Sequence, residues 1–399
     1  MKYISLFSGA GGLEHPSTVP LLVCEKDEAC IRVLERRVGP AQIHRDVNSL
    51  QPPKADVVVG GWPCQDISIA GSMAGLSGAR SGLFYRMVEI AIEAGSHTIV
   101  AENVPNLLTM NGGKEFEGVL AYFRQAGYPF ISWRTLNARQ FGLPQDRKRV
   151  FMVASKVREI ANTLHAQTPS APISSQTESP RAAGFYWTAG GRSICFNRGY
   201  TPALKVGASD NKGRSVVAVF TDGQISKLSA DGCARLQGFT PEDFEGETKT
   251  DIVRMAGNAV AVPMGHFVMS LVFEQHRSDV GSFGAGLQVG FAEISENGFS
   301  EDGFIWTVAH PEAEFATNLD EFVQNDTGEP LSGQAAAGLI VRSARSGHAL
   351  PLDLFDSLLE IALRGGPIRG SRSNSFNELK ELDLSSYRNE LERVFLSAA

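Results

Sequence analysis

An apolar run, Asp56-Val57-Val58-Val59, leads through Gly60-Gly61-Trp62 into Pro63-Cys64-Gln65-Asp66. A thiol that follows a proline at the carboxyl end of a strand sits on a rigid, exposed turn, where its thiolate can act as a nucleophile. Buried, the same cysteine would be only a small hydrophobe. Further along, Ala101-Glu102-Asn103-Val104-Pro105 places a carboxyl group at the end of another apolar run. Burial there raises a carboxyl pKa and suits it to donate a proton. Gln145-Asp146-Arg147-Lys148-Arg149 immediately precedes Val150-Phe151-Met152-Val153. On an extended segment Gln145, Arg147 and Arg149 share one face, so both guanidinium groups can point into one site. The alternative is an exposed basic stretch flanking a strand.

A second group of residues has the types that hold a nucleoside. The first apolar run ends in Phe7-Ser8-Gly9-Ala10-Gly11-Gly12, whose glycines allow a sharp turn and a close backbone approach to a ligand. Such a turn is also often no more than a turn. The second run ends in Cys24-Glu25-Lys26, where an acid commonly binds two ribose hydroxyls. His44-Arg45-Asp46-Val47 offers another acid, able to accept from an adenine amino group. No Gly-Lys-Ser/Thr phosphate loop occurs, so the set suits a nucleoside cofactor without phosphates.

These residues sit at the ends of short β-rich runs at 2–7, 21–24, 56–59, 98–101 and 150–154, with helix-like stretches at 27–37, 82–94 and 113–126 between them. Alternation of this kind predicts a parallel, doubly wound α/β sheet with ligands at the carboxyl ends of the strands. From about residue 156 the texture changes. Gln167-Thr168-Pro169-Ser170-Ala171-Pro172-Ile173-Ser174-Ser175-Gln176 reads as a linker, and glycines and aromatics then recur as in short strands and turns. A helix start follows at Ser229-Ala230-Asp231, and the stretch 251–273 looks like the first domain again. Beyond 280 the pattern is mixed. Strand-like runs at 287–294 and 304–308 precede helices near 351–363 and 376–395, and none carries recognisable chemistry.

The 399 residues suffice for two or three domains, and the composition, 43% hydrophobic and 20% charged, is that of a soluble globular protein. No apolar stretch approaches the ~20 residues of a membrane span, and Ser8-Gly9 arrives too early for a secretory signal core. Five cysteines with no Cys-x-x-Cys pair indicate neither a disulfide framework nor a zinc site. The expectation is a reduced, cytoplasmic enzyme without a metal.

The net charge of −7 is divided unevenly. Residues 1–279 hold 29 Lys and Arg against 26 Asp and Glu, and residues 280–399 hold 8 against 18. The stretch 155–228 alone carries 9 basic and 4 acidic residues. Positive charge able to meet phosphates therefore lies mid-chain, and the acidic tail is expected to pack away from nucleic acid, against the back of the catalytic domain or another protein.

The order of these features resembles the DNA (cytosine-5)-methyltransferases of prokaryotic restriction-modification systems, over residues 1–154 and 229–273. Phe7-Ser8-Gly9-Ala10-Gly11-Gly12 is similar to the family's cofactor loop, Pro63-Cys64-Gln65 to its nucleophile motif and Glu102-Asn103-Val104 to its acid motif. Gln145-x-Arg147-x-Arg149 resembles its base-binding motif, and Arg80-Ser81-Gly82-Leu83-Phe84 a short cofactor-side motif. Ala234-Arg235-Leu236-Gln237-Gly238-Phe239 and Gly257-Asn258-Ala259-Val260-Ala261-Val262-Pro263 resemble the two motifs that close the catalytic domain.

The resemblance implies a Rossmann-like, S-adenosylmethionine-dependent domain that methylates carbon 5 of a flipped-out cytosine in duplex DNA. Cys64 would attack, Glu102 would protonate the ring, Arg149 would hold the base and Arg147 the pocket. Phe7 would stack on the adenine, Glu25 bind ribose and Asp46 the adenine amino group. Asn258 and Val260 would line the methionine end, with Ser8, Gly9, Ala10, Gly11, Gly12, Lys26, Val47, Pro63 and Leu83 around the cofactor. Gln145 and Asn103 fall on the substrate side.

Residues 155–228 occupy the slot of a smaller target-recognition domain, with Arg192, Arg198, Lys205, Lys212 and Arg214 as candidate DNA contacts. Residues 229–279 return to the catalytic domain, and 280–399 form an α+β C-terminal extension of unassigned role. The partners implied are double-stranded DNA, met by a monomer near the nucleoid, and a cognate restriction endonuclease. The chain departs from the family in one place. Between Gly12-Leu13-Glu14 and the second strand stand only His15-Pro16-Ser17-Thr18-Val19-Pro20, whose prolines forbid the usual helix.

Three rival readings exist. The family's RNA branch uses the same motifs, but its Cys-Phe-Thr signature is absent and Cys195-Phe196-Asn197 is a near miss. A catalytically dead DNA-binding regulator would have lost the nucleophile, the acid or an arginine, all of which this chain keeps. A nuclease fused at the C-terminus lacks a metal-binding pattern there.

Overall fold

The computed structural model describes residues 1–39, 41–63, 82–169, 182–186, 196–204, 217–221, 223–274, 295–301, 304–307, 319–324, 326, 328–346, 349–365 and 375–396. The N-terminal part runs β1 (Tyr3–Leu6), β2 (Leu22–Cys24), α1 (Glu28–Arg37), β3 (Gln42–His44), β4 (Val57–Gly61), α2 (Gly82–Glu93) and β5 (Thr98–Asn103). It continues with α3 (Asn106–Thr109), α4 (Lys114–Gln125), β6 (Phe130–Asn137), β7 (Gln145–Asp146), β8 (Lys148–Ser155) and α5 (Arg158–Asn162). The middle holds β9 (Ala183–Tyr186), β10 (Asn197–Arg198), β11 (Thr201–Pro202), β12 (Val217–Thr221) and β13 (Gln224–Lys227). Then come α6 (Ala230–Arg235), α7 (Lys249–Asn258) and α8 (Val262–Phe273). The C-terminal part has β14 (Asn297–Glu301), β15 (Phe304–Thr307), α9 (Leu319–Gln324), β16 (Glu329–Pro330), α10 (Gly333–Ser346), α11 (Leu352–Gly365), α12 (Ser375–Glu381) and α13 (Leu384–Leu396).

Nine strands form the main sheet in the order β15-β14-β6-β8-β5-β4-β1-β2-β3. From β3 to β5 all neighbours are parallel, as expected of strands connected through helices. The strands β1, β4 and β5 are buried along their whole length or nearly so, which is why they read as unbroken apolar runs. The sheet is not parallel throughout. β8 runs antiparallel between β5 and β6, and β14 and β15 extend the far edge in antiparallel fashion. One face packs on α2 and α4 through Phe84, Met87, Phe116 and Phe123, the other on α8 through Met264, Val268 and Val272. No helix joins β1 to β2, in keeping with the prolines at 16 and 20.

A second sheet, β10-β9-β12-β13-β16, is antiparallel and covered on both faces. Alternation along the strands divides it. Phe185, Phe220 and Ile225 point one way and Tyr186 and Val219 the other. The second face meets Cys233 and Leu236 of the α6 region and Ala256 of α7. The first face meets Leu339 and Ile340 of α10 and Leu354, Phe355 and Leu358 of α11. This corrects the expectation for the acidic tail. Its helices pack on the sheet formed by residues 183–227 rather than on the back of the catalytic domain, and β16 enters that sheet as a strand. Only β14 and β15 join the main sheet. Ala183, Phe185, Phe220 and Ile225 therefore share one apolar core with Leu331 and the helices α10 to α13. The strand expected at 287–294 lies outside the described residues.

Candidate functional site

The sheet topology explains how residues far apart in sequence meet. β4 and β5 are parallel and in register, so Gly61 lies opposite Glu102 at their carboxyl ends. β8 is antiparallel to β5, with Val150 opposite Asn103, so its first residues arrive where β5 finishes. Arg149 thereby reaches Glu102, and its Nε stands 3.0 Å from Oε1 of that carboxylate. Arg149 also donates to the carbonyl of Lys148 at 2.7 Å. Glu102 is 8% exposed. Burial pushes its pKa up, against the opposing pull of Arg149 and then Arg147. This is the raised carboxyl expected of a proton donor. Gly61 makes room for it: a Cβ at that position would stand 2.6 Å from Oε2 of Glu102. The signal for this role in the sequence is the glycine pair Gly60-Gly61, one residue ahead of Pro63-Cys64.

Arg147 and Gln145 do not open onto the site in the way that sharing a face with Arg149 suggested. The side chain of Arg147 is fully buried and donates to the carbonyls of Leu204, Gly257 and Ala259 at 3.1, 3.2 and 2.5 Å. Burial lowers its pKa well below the ordinary arginine value. Its Nε has no hydrogen-bond partner among the described residues, so one donor remains in reserve. Gln145 is equally buried. Its amide donates to the carbonyl of Leu236 at 2.9 Å, and its oxygen accepts from the backbone N–H of Leu204 at 2.8 Å. Both side chains clamp Leu204, just after β11, and the α6–α8 segment to the start of β8. Asn103 is also committed, donating to the carbonyl of Trp62 at 3.2 Å and accepting from Val104 N–H at 2.8 Å. It ties the end of β5 to the residue before Pro63, which is exposed. Cys64 lies outside the described residues, as do Arg80 and Ser81.

The cofactor candidates gather along the same edge. Phe7 takes a left-handed backbone, φ 55°, which is uncommon for a residue with a side chain and marks a strained turn. Gly9 donates its N–H to Oε2 of Glu25 at 2.9 Å, while Oε1 accepts from the N–H groups of Lys26 and Asp27. Lys26 itself is exposed. The carboxylate of Glu25 is thus fixed under the tip of the turn, and the space beside Gly9 is open, with no atom within 4 Å of a Cβ built there. Gly12 is packed instead: a Cβ on it would meet the carbonyl oxygen of Val260 at 2.2 Å. Ala10 is buried, and Gly11 has φ 89° and donates to the carbonyl of Ser8 at 3.0 Å.

Asp46 is exposed after β3, accepting from Asn48 N–H at 3.0 Å, and Val47 beside it is buried and accepts from Arg86. Leu83 lies partly buried at the start of α2, and Asn258 is exposed at the end of α7, just before the buried Val260. An open cradle with a fixed carboxylate, backbone amides and an aromatic ring fits a nucleoside sulfonium cofactor. A residue overlooked in the sequence supports this turn. Glu14 is buried, accepts from Ser5 Oγ at 2.8 Å and Leu13 N–H at 3.1 Å, and Ser8 Oγ in turn donates to Ser5 Oγ at 2.9 Å.

Among the DNA-contact candidates, Arg198 is described and pairs with Asp353 of α11 at 2.5 Å. Arg192, Lys205, Lys212 and Arg214 lie outside the described residues. Tyr186 is paired with Val217, so the chain leaves β9 and enters β12 at the same end of the second sheet.

Comparison with known proteins agrees with this geometry. The profile of the C-5 cytosine-specific DNA methylase family matches residues 1–186 and 191–274. The chain is 32% identical to the Type II methyltransferase M2.BsuMI of Bacillus subtilis (strain 168) over 389 residues, covering 90% of this chain and 97% of that protein. It is 30% identical to the Type II methyltransferase M.NgoBI of Neisseria gonorrhoeae, covering 66% of this chain and 90% of that one. The chain therefore belongs to the C-5 cytosine-specific DNA methylases and is a DNA cytosine-5 methyltransferase with S-adenosylmethionine as its cofactor.

Proposed function

We propose that catalysis proceeds on a cytosine turned out of the duplex, through a covalent adduct with Cys64. The observation that carries this reading is the Glu102–Arg149 pair, a buried carboxyl with a raised pKa beside the strand end that leads into Pro63-Cys64. Cytosine carbon 5 is a weak nucleophile inside an aromatic ring. Attack of the Cys64 thiolate on carbon 6 forms an S–C bond, while Glu102 gives its proton to ring nitrogen 3, leaving an enamine whose electron pair is available at carbon 5. The bound cofactor supplies an electrophilic methyl group at that point. Loss of the carbon-5 proton to a base, departure of the Cys64 sulfur as thiolate and return of the nitrogen-3 proton to Glu102 restore the neutral aromatic ring and the enzyme.

Arg149 orients the Glu102 carboxyl and offers its guanidinium to the base oxygen. Arg147 braces the pocket through three backbone carbonyls. Phe7, Glu25 and Asp46 hold the nucleoside of the cofactor, and Asn258 and Val260 its amino-acid end. The second sheet carries target recognition, with Arg192, Arg198, Lys205, Lys212 and Arg214 as its cationic contacts. Extrusion of the base is the route by which the pocket reaches carbon 5, since that atom is stacked within a duplex. A restriction endonuclease of the same specificity is the partner that such a methylase protects against, and one monomer acts on the DNA.

Cytosine fluorinated at carbon 5 tests the nucleophile directly, because the adduct then has no carbon-5 proton to lose and stays on the enzyme. Wild-type protein is expected to form a denaturation-resistant complex with duplex DNA containing 5-fluorocytosine. Cys64→Ser is expected to bind DNA but neither methylate nor trap. Trapping by the serine variant at the wild-type rate would remove Cys64 from the mechanism.

A further inference from the structure

The acidic C-terminal part is built into the recognition sheet at three places. Asp320 in α9 accepts from the backbone N–H of Ala182, at the head of β9, at 2.7 Å. β16 pairs with β13, with Ser226 opposite Pro330 and Lys227 opposite Glu329. Between these two points stands Asp326, whose side chain is 3% exposed. It accepts from Ser229 N–H at 3.1 Å and Ser229 Oγ at 2.5 Å, and Arg235 stands 3.4 Å away. Gly232 permits the approach, since a Cβ there would lie 2.3 Å from Oδ1 of Asp326.

Ser229 is the N-cap of α6, and α6 leads directly into the catalytic clamp. The carbonyl of Leu236, just past its end, receives Gln145. Gln145 accepts from Leu204 N–H, and the carbonyl of Leu204 receives Arg147. Hydrogen bonds joined through the short helix α6 thus connect Asp326 to the arginine behind the Glu102–Arg149 pair.

We propose that residues 319–391 are the second half of the target-recognition unit, and that Asp326 is a positioning residue that sets the recognition sheet against the catalytic pocket. The match to M2.BsuMI, covering 90% of the chain, runs well past residue 274, where the family profile stops. This region is therefore shared with at least one relative. The proposal rests on the reading that the second sheet meets DNA. A strap in this place controls how a bound duplex is offered to the pocket, whereas the nucleoside side of the cofactor cradle, Glu25 and Asp46 after β2 and β3, lies at the far edge of the main sheet.

The test uses the full chain and a synthetic duplex carrying the site mapped by bisulfite sequencing of plasmid DNA. Asp326→Ala is expected to raise KM for that duplex on the order of tenfold, the range for losing a buried charged acceptor, with KM for S-adenosylmethionine within about twofold of wild type. Discrimination against duplexes altered at one base pair should fall in parallel. Asp326→Asn keeps an acceptor for Ser229 and is expected to recover most of the DNA term, a rescue that loosened packing alone would not give. Ser229→Ala cuts the strap from the other side and should show the same split at smaller size, so it carries the test if Asp326→Ala does not fold. Wild-type constants and discrimination in a folded Asp326→Ala, or equal rises in both KM values, would overturn the strap. Hydrogen exchange on the wild type judges the underlying reading separately: strands β9 and β12 are expected to gain protection when the duplex binds, and none there would overturn the DNA-facing role of the sheet.

Discussion

Among the described residues, two carboxyl groups are buried with raised pKa values, and their neighbours give them different work. Glu102 has a cation at 3.0 Å and lies at the strand end beside the nucleophile segment, whereas Glu14 has hydroxyl and amide donors and supports a turn. For Glu102 burial is the larger influence, so the acid keeps its proton to a higher pH than an exposed glutamic acid does. The proton is needed at ring nitrogen 3, so the methyl-transfer step should be fastest below that raised pKa and fall as pH rises through it. Glu102→Gln removes the proton donor and is expected to slow single-turnover methyl transfer by about 10²-fold or more. Affinity for the cofactor should hardly change, because the cradle lies at the ends of β1, β2 and β3, with β4 between it and Glu102. An unaltered transfer step in the glutamine variant, measured by rapid quench, would assign the proton to another group.

At the scale of elements, the turn after β1 is a tightly constrained piece of backbone. Gly265 of α8 approaches so closely that a Cβ on it would stand 1.9 Å from the carbonyl oxygen of Gly12. The glycines thus serve two needs, an open side at Gly9 and a closed one at Gly12, which the sequence presents as a single motif. Beneath them burial raises the pKa of Glu14, against the opposing hydrogen bond from Ser5. A carboxyl whose folded pKa is raised stabilises the fold most fully below the ordinary carboxyl range, and that contribution is lost as pH rises through the raised value. Melting temperature against pH should therefore decline in the wild type across that interval, and Glu14→Gln should flatten the decline. Equal slopes in the two proteins would show that another group is responsible.

What was legible in the sequence follows the same division. Strands β1, β2, β4, β5 and β8 announced themselves because both faces are buried, and the motifs at their ends fell where ligands bind in such sheets. β6 was missed because Ser132, Arg134 and Thr135 interrupt its apolar character, and β3 because it is a partly exposed edge. The clamping roles of Gln145 and Arg147 were hidden, since spacing tells which face a side chain takes but not which distant carbonyls await it.

For the whole molecule, regional charge was a poor guide to packing. The tail holds 18 acids against 8 bases, yet several of its acids meet basic partners elsewhere: Asp353 with Arg198, Asp326 with Arg235, Glu296 with Lys148 and Glu301 with Arg158. The exposed pairs among these, Asp353–Arg198 and Glu296–Lys148, contribute only about 0–1 kcal/mol each, so they set orientation more than stability. Stability comes from the apolar face of the second sheet. Phe185, Phe220 and Ile225 are each at most 5% exposed, and helices α10 and α11 cover them. Leaving a large apolar side chain exposed costs roughly 1.5–3 kcal/mol, so uncovering these three forfeits on the order of 5–9 kcal/mol. That is comparable with the roughly 5–15 kcal/mol by which a typical domain is stable at all. A chain ending at residue 279 is therefore expected to lose the folded second sheet. It should be far less soluble, and what stays in solution should methylate no specific sequence at a measurable rate. Shortening only from residue 397 should change neither property, because α13 is then intact. Solubility and bisulfite maps of the two shortened chains, taken beside the full-length protein, decide the point. A soluble chain of 279 residues that methylates the wild-type sites at the wild-type rate would show that the recognition sheet stands without its C-terminal cover.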